Sequence, residues 1–118
     1  MTEILRRFHP ADDAVLVIEA PREIAHESAD TLRVTVERHV PDRDDAALVL
    51  DLSGVRMISS IGVAALLQIR EFCRDRGVPF ALAGLPAEQQ RFLEMLRLGD
   101  KFTLAPDVDE AVSALRAQ

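Results

Sequence analysis

Two adjacent serines, Ser59 and Ser60, stand where a loop gives way to a long apolar-periodic segment. A serine there can cap the helix, because its hydroxyl accepts a hydrogen bond from an amide of the first turn. It can attack as a nucleophile if a base takes its proton. It can also stay exposed, as a phosphorylatable group on a docking surface. The nucleophile has the least support, since no histidine base is evident and there is no Gly-x-Ser-x-Gly elbow. A Gly-rich phosphate loop and a helix-borne His pair are missing too. His9, His26 and His39 share no metal-ligand spacing. Asp42, Asp44 and Asp45 lack the Gly and Glu of a calcium loop and read as a solvated acidic turn. Cys73 lies on an apolar helix stripe and reads as core. No catalytic, metal-binding or cofactor-binding residue is expected, and the chain is not expected to be an enzyme.

The elements that must position the serines run from Ala46 to Cys73. Ala47 to Leu52 is a short apolar run, bounded by Asp42–Asp45 before it and Ser53-Gly54 after it, which fits a strand covered on both faces. After Met57-Ile58 the serine pair announces a helix N-terminus. At about 100° per residue, Ile61, Gly62, Ala65, Leu66, Ile69, Phe72 and Cys73 share one face and are expected to pack on the sheet. Arg70, Glu71, Arg74 and Asp75 fall on the other side together with Ala64 and Leu67, and Val63 lies at its edge. That apolar patch beside Ser59 and Ser60 makes Ser59, Ser60, Val63, Ala64 and Leu67 the expected partner-binding residues.

Around this unit, Met1 to Phe8 holds a candidate edge strand, and Ala14 to Glu19 a second strand that pairs with it as a hairpin. Ile24 to Val40 has helical spacing and is stopped by Pro41. Helix, then strand, implies a crossover and parallel neighbours. Phe80 to Ala83 reads as a buried strand, Pro86 to Leu98 as a helix ended by Gly99, and Phe102 to Leu104 as a last strand. Asp107 to Arg116 reads as a helix capped by Asp107. The fold class expected is α/β, a mixed sheet of four to five strands with helices mostly on one face, and one domain over residues 1–118.

Composition narrows the partners. The formal charge is −6, which disfavours nucleic acid and anionic membrane surfaces. With five Phe and no Trp or Tyr there is no stacking platform for single strands. A single cysteine excludes an internal disulfide, and no apolar run approaches the ~20 residues of a membrane span. A cytoplasmic protein is expected.

The run Asp51-Leu52-Ser53-Gly54-Val55-Arg56-Met57-Ile58-Ser59-Ser60-Ile61-Gly62 resembles the signature segment of the STAS domain family, the fold of bacterial anti-sigma factor antagonists. His26 to Arg33, Phe80 to Leu85 and Leu93 to Phe102 also resemble that family, so the likeness covers almost the whole chain. Aligned through Asp51 and Gly62, the family's phosphorylated serine falls on Ser60, with Ser59 as the alternative. Ser59 stands where the family commonly has Asp, and Ile61 where it often has Ser or Thr. The resemblance implies an antagonist that binds an anti-sigma factor, itself a GHKL-type serine kinase, and releases it once phosphorylated. It also implies a serine phosphatase that resets the switch. ATP would belong to the kinase, so no cofactor is expected here. The alternative that the same resemblance implies is a scaffold subunit of a signalling assembly or an accessory module of a membrane transport system. Self-association is left open.

Overall fold

The computed structural model describes residues 4–117. In chain order the elements are β1 (Arg6–His9), β2 (Asp12–Glu19), β3 (Glu23–Ile24), α1 (His26–His39), β4 (Ala47–Asp51), β5 (Met57–Ile58), α2 (Ser60–Asp75), β6 (Phe80–Ala83), α3 (Ala87–Met95), a 3-10 turn (Gly99–Lys101), β7 (Thr103–Ala105) and α4 (Val108–Arg116). The expected opening strand begins at Arg6; Met1 to Glu3 lie outside the described residues.

The main sheet has the order β1-β2-β4-β6-β7. β1 and β2 form the antiparallel hairpin, and every other neighbour in this sheet is parallel. Its central strands are apolar at consecutive positions because both faces are covered. Leu16, Ile18, Leu48, Leu50 and Leu82 pack with Leu32 and Val36 of α1, Leu66 and Ile69 of α2, and Leu93 of α3. Val15, Val17, Val49, Ala81 and Ala83 meet Ala111 and Leu115 of α4 on the opposite face. Three helices therefore lie on one side and one on the other.

Two short strands escape the sequence pattern. β3 and β5 pair in parallel, Glu23 with Met57 and Ile24 with Ile58, as a separate two-stranded ribbon. Two residues carry no periodicity to read, yet this ribbon ties the entrance of α1 to the entrance of α2.

The helix ends show the same local chemistry met in two ways. α2 closes in a Schellman motif: Gly77 has φ +67°, its N–H donates to Arg74, and the Val78 N–H donates to Cys73. α3 closes in the same motif, at Met95, three residues before the expected end at Leu98. Arg97 takes the left-handed position at φ +59°, its N–H donates to Glu94, and the Leu98 N–H donates to Leu93. Gly99 begins the 3-10 turn and does not end the helix. An arginine at that position carries no sequence signal, because the left-handed conformation is one that glycine normally takes.

α4 starts at its expected cap, where the Asp107 carboxylate accepts from the Glu110 N–H at 2.8 Å. Its last turn is fastened to the sheet through Arg116, which donates to Asp12 at 2.7 Å and to the Asp45 carbonyl at 2.7 Å. The guanidinium holds the Asp12 carboxyl below its usual value. Cys73 is buried in the core, where desolvation pushes its thiol up to about 12.

Candidate functional site

The start of α2 is built by three converging segments. The first is the loop that leaves β4. The Asp51 carboxylate accepts from the Ser53 N–H at 3.0 Å, and the Val55 N–H returns to the Leu52 carbonyl at 3.0 Å. This folds the chain back before it reaches β5. The second is the segment preceding α1: Arg56 donates its N–H to the Arg22 carbonyl at 2.7 Å, and Ser59 donates its own to the Ile24 carbonyl at 3.1 Å. The third is α3. Gln89 is the one buried polar side chain among the described residues, and its amide donates to the Arg56 carbonyl at 2.7 Å.

The two serines have different work. Ser59 is the N-cap of α2: its hydroxyl accepts from the Gly62 N–H at 3.1 Å, and it is half-buried. Ser60 is the first helical residue and its side chain is exposed. The Ser60 and Ile61 amides, in the first turn, have no intrahelical partner by position, and the helix dipole leaves a partial positive charge there. An anion on Ser60 is therefore compatible with the fold.

Gly62 explains how closely α2 approaches the ribbon. A Cβ at this position would lie 1.9 Å from the Ile24 carbonyl oxygen and 2.9 Å from the Ile58 side chain. No side chain fits there, so the glycine sets the depth at which the helix start is seated.

The expected inward face of α2 is corrected at two positions. Val63, expected at the edge of the solvent side, is 6% exposed and belongs to the core; Ile61, expected inward, is 49% exposed. The physical reason is that α2 has two neighbours. α1 packs alongside it, in addition to the sheet beneath. On a wheel of about 100° per residue the buried positions Gly62, Leu66, Ile69 and Cys73 centre the stripe. Val63 lies about 90° from that centre and Ile61 about 110° on the other side. Of the remaining expected partner residues, Ala64 is exposed and Leu67 is half-buried against the core. The accessible surface beside Ser60 thus consists of Ile61 and Ala64, with Met57 of β5, 39% exposed, just upstream. Ile61 and Met57 were not among the expected site residues. Ile61 and Val63 each stand about 100° from Gly62, so a wheel drawn for this helix alone does not separate them, and no sequence signal marks Gln89.

The role of Gln89 gives a direct expectation. Gln89→Leu keeps an apolar contact but removes the donor to Arg56. Amide hydrogen exchange at Arg56, Met57 and Ser59 is then expected to speed up by about tenfold beyond any change at Val49 in the central strand. That factor corresponds to one lost hydrogen bond in a poorly solvated place. A uniform change across all amides would show Gln89 to be ordinary packing.

Comparisons with known proteins agree with this geometry. The STAS domain model matches residues 9–111. An anti-sigma F factor antagonist of Paenibacillus polymyxa is 25% identical over 101 residues, covering 86% of this chain and 84% of that protein. The crystal structure of an anti-sigma factor antagonist from Mycobacterium paratuberculosis superposes with a TM-score of 0.79 at 27% identity, covering 97% of this chain and 93% of that one. A STAS domain protein from Planctomyces limnophilus has the same fold, with a TM-score of 0.79 at 16% identity over 96% of this chain and 97% of its own. Among the described residues no helix is long and apolar enough to cross a membrane. With its matched span running from the end of β1 into α4, the chain belongs to the STAS domain family.

Proposed function

We propose that this protein is an anti-sigma factor antagonist, a cytoplasmic binding protein and not an enzyme. In this reading the unmodified face at the start of α2 binds an anti-sigma factor of the GHKL serine-kinase type. Phosphorylation of Ser60 by that kinase releases it, and a serine phosphatase restores binding. The observation that carries the reading is the division of labour between the serines. Ser59 is committed to the Gly62 amide, whereas Ser60 is free, exposed and flanked by Ile61 and Ala64. A kinase must extract its acceptor hydroxyl from other bonds, and Ser60 needs no extraction. The named function of the Paenibacillus and Mycobacterium relatives supports the same assignment.

The test is capture from the source organism's lysate on immobilised protein, with ATP then added and the phosphate mapped by mass spectrometry. Recovery of a serine kinase, phosphate on Ser60, and loss of phosphate in Ser60→Ala but not in Ser59→Ala are expected. Phosphate on Ser59 would move the acceptor to the alternative serine and overturn the division of labour, and capture only of other STAS-domain proteins would replace the switch with the scaffold role.

A further inference from the structure

The chain offers few atoms to a peroxide. It has no Trp or Tyr and one cysteine. Cys73 is buried, and desolvation pushes its thiol up to about 12, so it holds little of the thiolate that reacts. A thioether needs no deprotonation, and access decides its oxidation. Among the described residues the thioethers are Met57, 39% exposed, and Met95, 81% exposed.

Met57 differs from Met95 in where it stands and in how it is held. Successive side chains of a strand point to opposite sides, and Ile58, the other residue of β5, is buried in the core. Met57 therefore points outward. Its N–H donates to the Arg22 carbonyl at 3.3 Å, and its register partner is Glu23. The inward side of the ribbon is filled by Ile24 and Ile58, so the thioether has no buried place to retreat to. Ser60 follows shortly after Met57, at most about 11 Å further along the chain. A stable contact covers roughly 800 Å² on each partner, a patch on the order of 30 Å across. A partner that covers Ser60 and Ile61 therefore covers Met57 as well. Met95 instead ends α3, roughly 9 Å of helix beyond Gln89, the residue through which α3 touches the site.

We propose, on the basis that the start of α2 binds an anti-sigma factor, that Met57 is an oxidation site through which hydrogen peroxide releases that partner without phosphorylation of Ser60. The Met57 sulfur attacks one oxygen of the peroxide. The O–O bond breaks, an S=O bond forms, and the second oxygen leaves as water. The sulfur loses two electrons and the peroxide gains them. A dithiol reductant reverses the step: the sulfoxide oxygen leaves as water, two electrons return to the sulfur, and the dithiol closes to a disulfide. The sulfoxide keeps the length of the side chain but is polar, so it has to be stripped of water to enter an apolar contact. Phosphate on Ser60 acts through the same cost with a full charge, and the neutral sulfoxide has the smaller effect. At Met95 the same oxygen leaves the contact untouched.

The experiment treats the wild type, Met57→Leu and Met95→Leu with hydrogen peroxide, removes the peroxide, and maps sulfoxide by mass spectrometry. Each protein, treated and untreated, is then immobilised, and the serine kinase it retains from an ATP-depleted lysate is quantified. Treated wild type and treated Met95→Leu are expected to retain about tenfold less kinase than their own untreated forms. Treated Met57→Leu is expected to retain as much as its own untreated form. Incubation of the treated wild type with a dithiol and methionine sulfoxide reductases is expected to restore capture. Met57→Gln, which carries a polar group of similar length, is expected to lose capture without any peroxide. Circular dichroism is expected to be the same before and after treatment. Failure of the untreated wild type to retain any serine kinase would refute the antagonist function, and the oxidation site with it. Where the untreated wild type does retain one, equal retention after treatment, a loss that persists in Met57→Leu, or a loss of folded signal on treatment would overturn the oxidation site alone.

Discussion

Gly62→Ala is expected to lower the stability of the protein by about 3 kcal/mol or more, which for a chain of this size shifts the thermal midpoint down by about 10 °C. In an ordinary helix the same change is favourable by roughly 1 kcal/mol, because alanine is the better helix former. The sign reverses here because the new Cβ would stand 1.9 Å from the Ile24 carbonyl oxygen, a backbone atom that cannot rotate aside. That oxygen also accepts the Ser59 N–H at 3.1 Å. Relief of the clash therefore has to pull the start of α2 away from β3 and break the bond that seats the cap. Gly54→Ala provides the control: nothing lies within 4 Å of a Cβ there. Its stability is expected to stay within about 0.5 kcal/mol of the wild type, as for other surface changes. Denaturant unfolding of both variants decides the matter. A Gly62→Ala protein as stable as Gly54→Ala would mean that α2 and β3 do not approach each other as closely as described.

The same close approach shows what could and could not be read in the sequence. The central strands β2, β4 and β6 were legible because each holds a contiguous apolar run between turn residues, and burial on both faces writes itself into composition. The cap of α4 at Asp107 was legible because a few residue types dominate that position. What failed was information held by neighbours distant in sequence. Val63 is buried because α1 lies beside α2, and a helical wheel drawn for one helix knows nothing of its neighbour. β3 and β5 exist only as partners of each other, and Arg97 is left-handed because the α3 closing motif demands it. At the site, the serine pair and Gly62 were visible as a motif. The assignment of the cap to one serine and exposure to the other needed the distance between Ser59 and the Gly62 amide. Gln89 acts across 33 positions, where no local pattern could announce it.

Because Ser59 holds the cap, the two serines should separate cleanly under substitution. Ser59→Ala removes the acceptor for the Gly62 N–H and is expected to cost about 1 kcal/mol of stability, the usual loss at an N-cap. Its effect on partner affinity should be small. Ser60→Asp is expected to do the opposite. A carboxylate in the first turn is favourable to the helix by about 0.3–1 kcal/mol, so unfolding should be unchanged or slightly delayed. Binding of the captured anti-sigma factor should nevertheless weaken about 100-fold or more, which is about 2.7 kcal/mol. The dipole cannot supply that difference, and its sign is wrong. It must come from stripping water from a charge set against Ile61 and Ala64 in an apolar contact. A phosphate, with about −1.5 to −2 charges where aspartate has one, extends the same effect toward the ~5.5 kcal/mol that inverts an equilibrium from about 1:99 to 99:1. Ser60→Asn is the discriminating control, since it has nearly the size of aspartate without the charge. If Asn weakens binding as much as Asp, the face excludes its partner by shape, and an electrostatic switch at Ser60 is ruled out. If Asn binds like the wild type while Asp does not, charge alone carries the release, and a folded, intact antagonist is silenced without any change in its own stability.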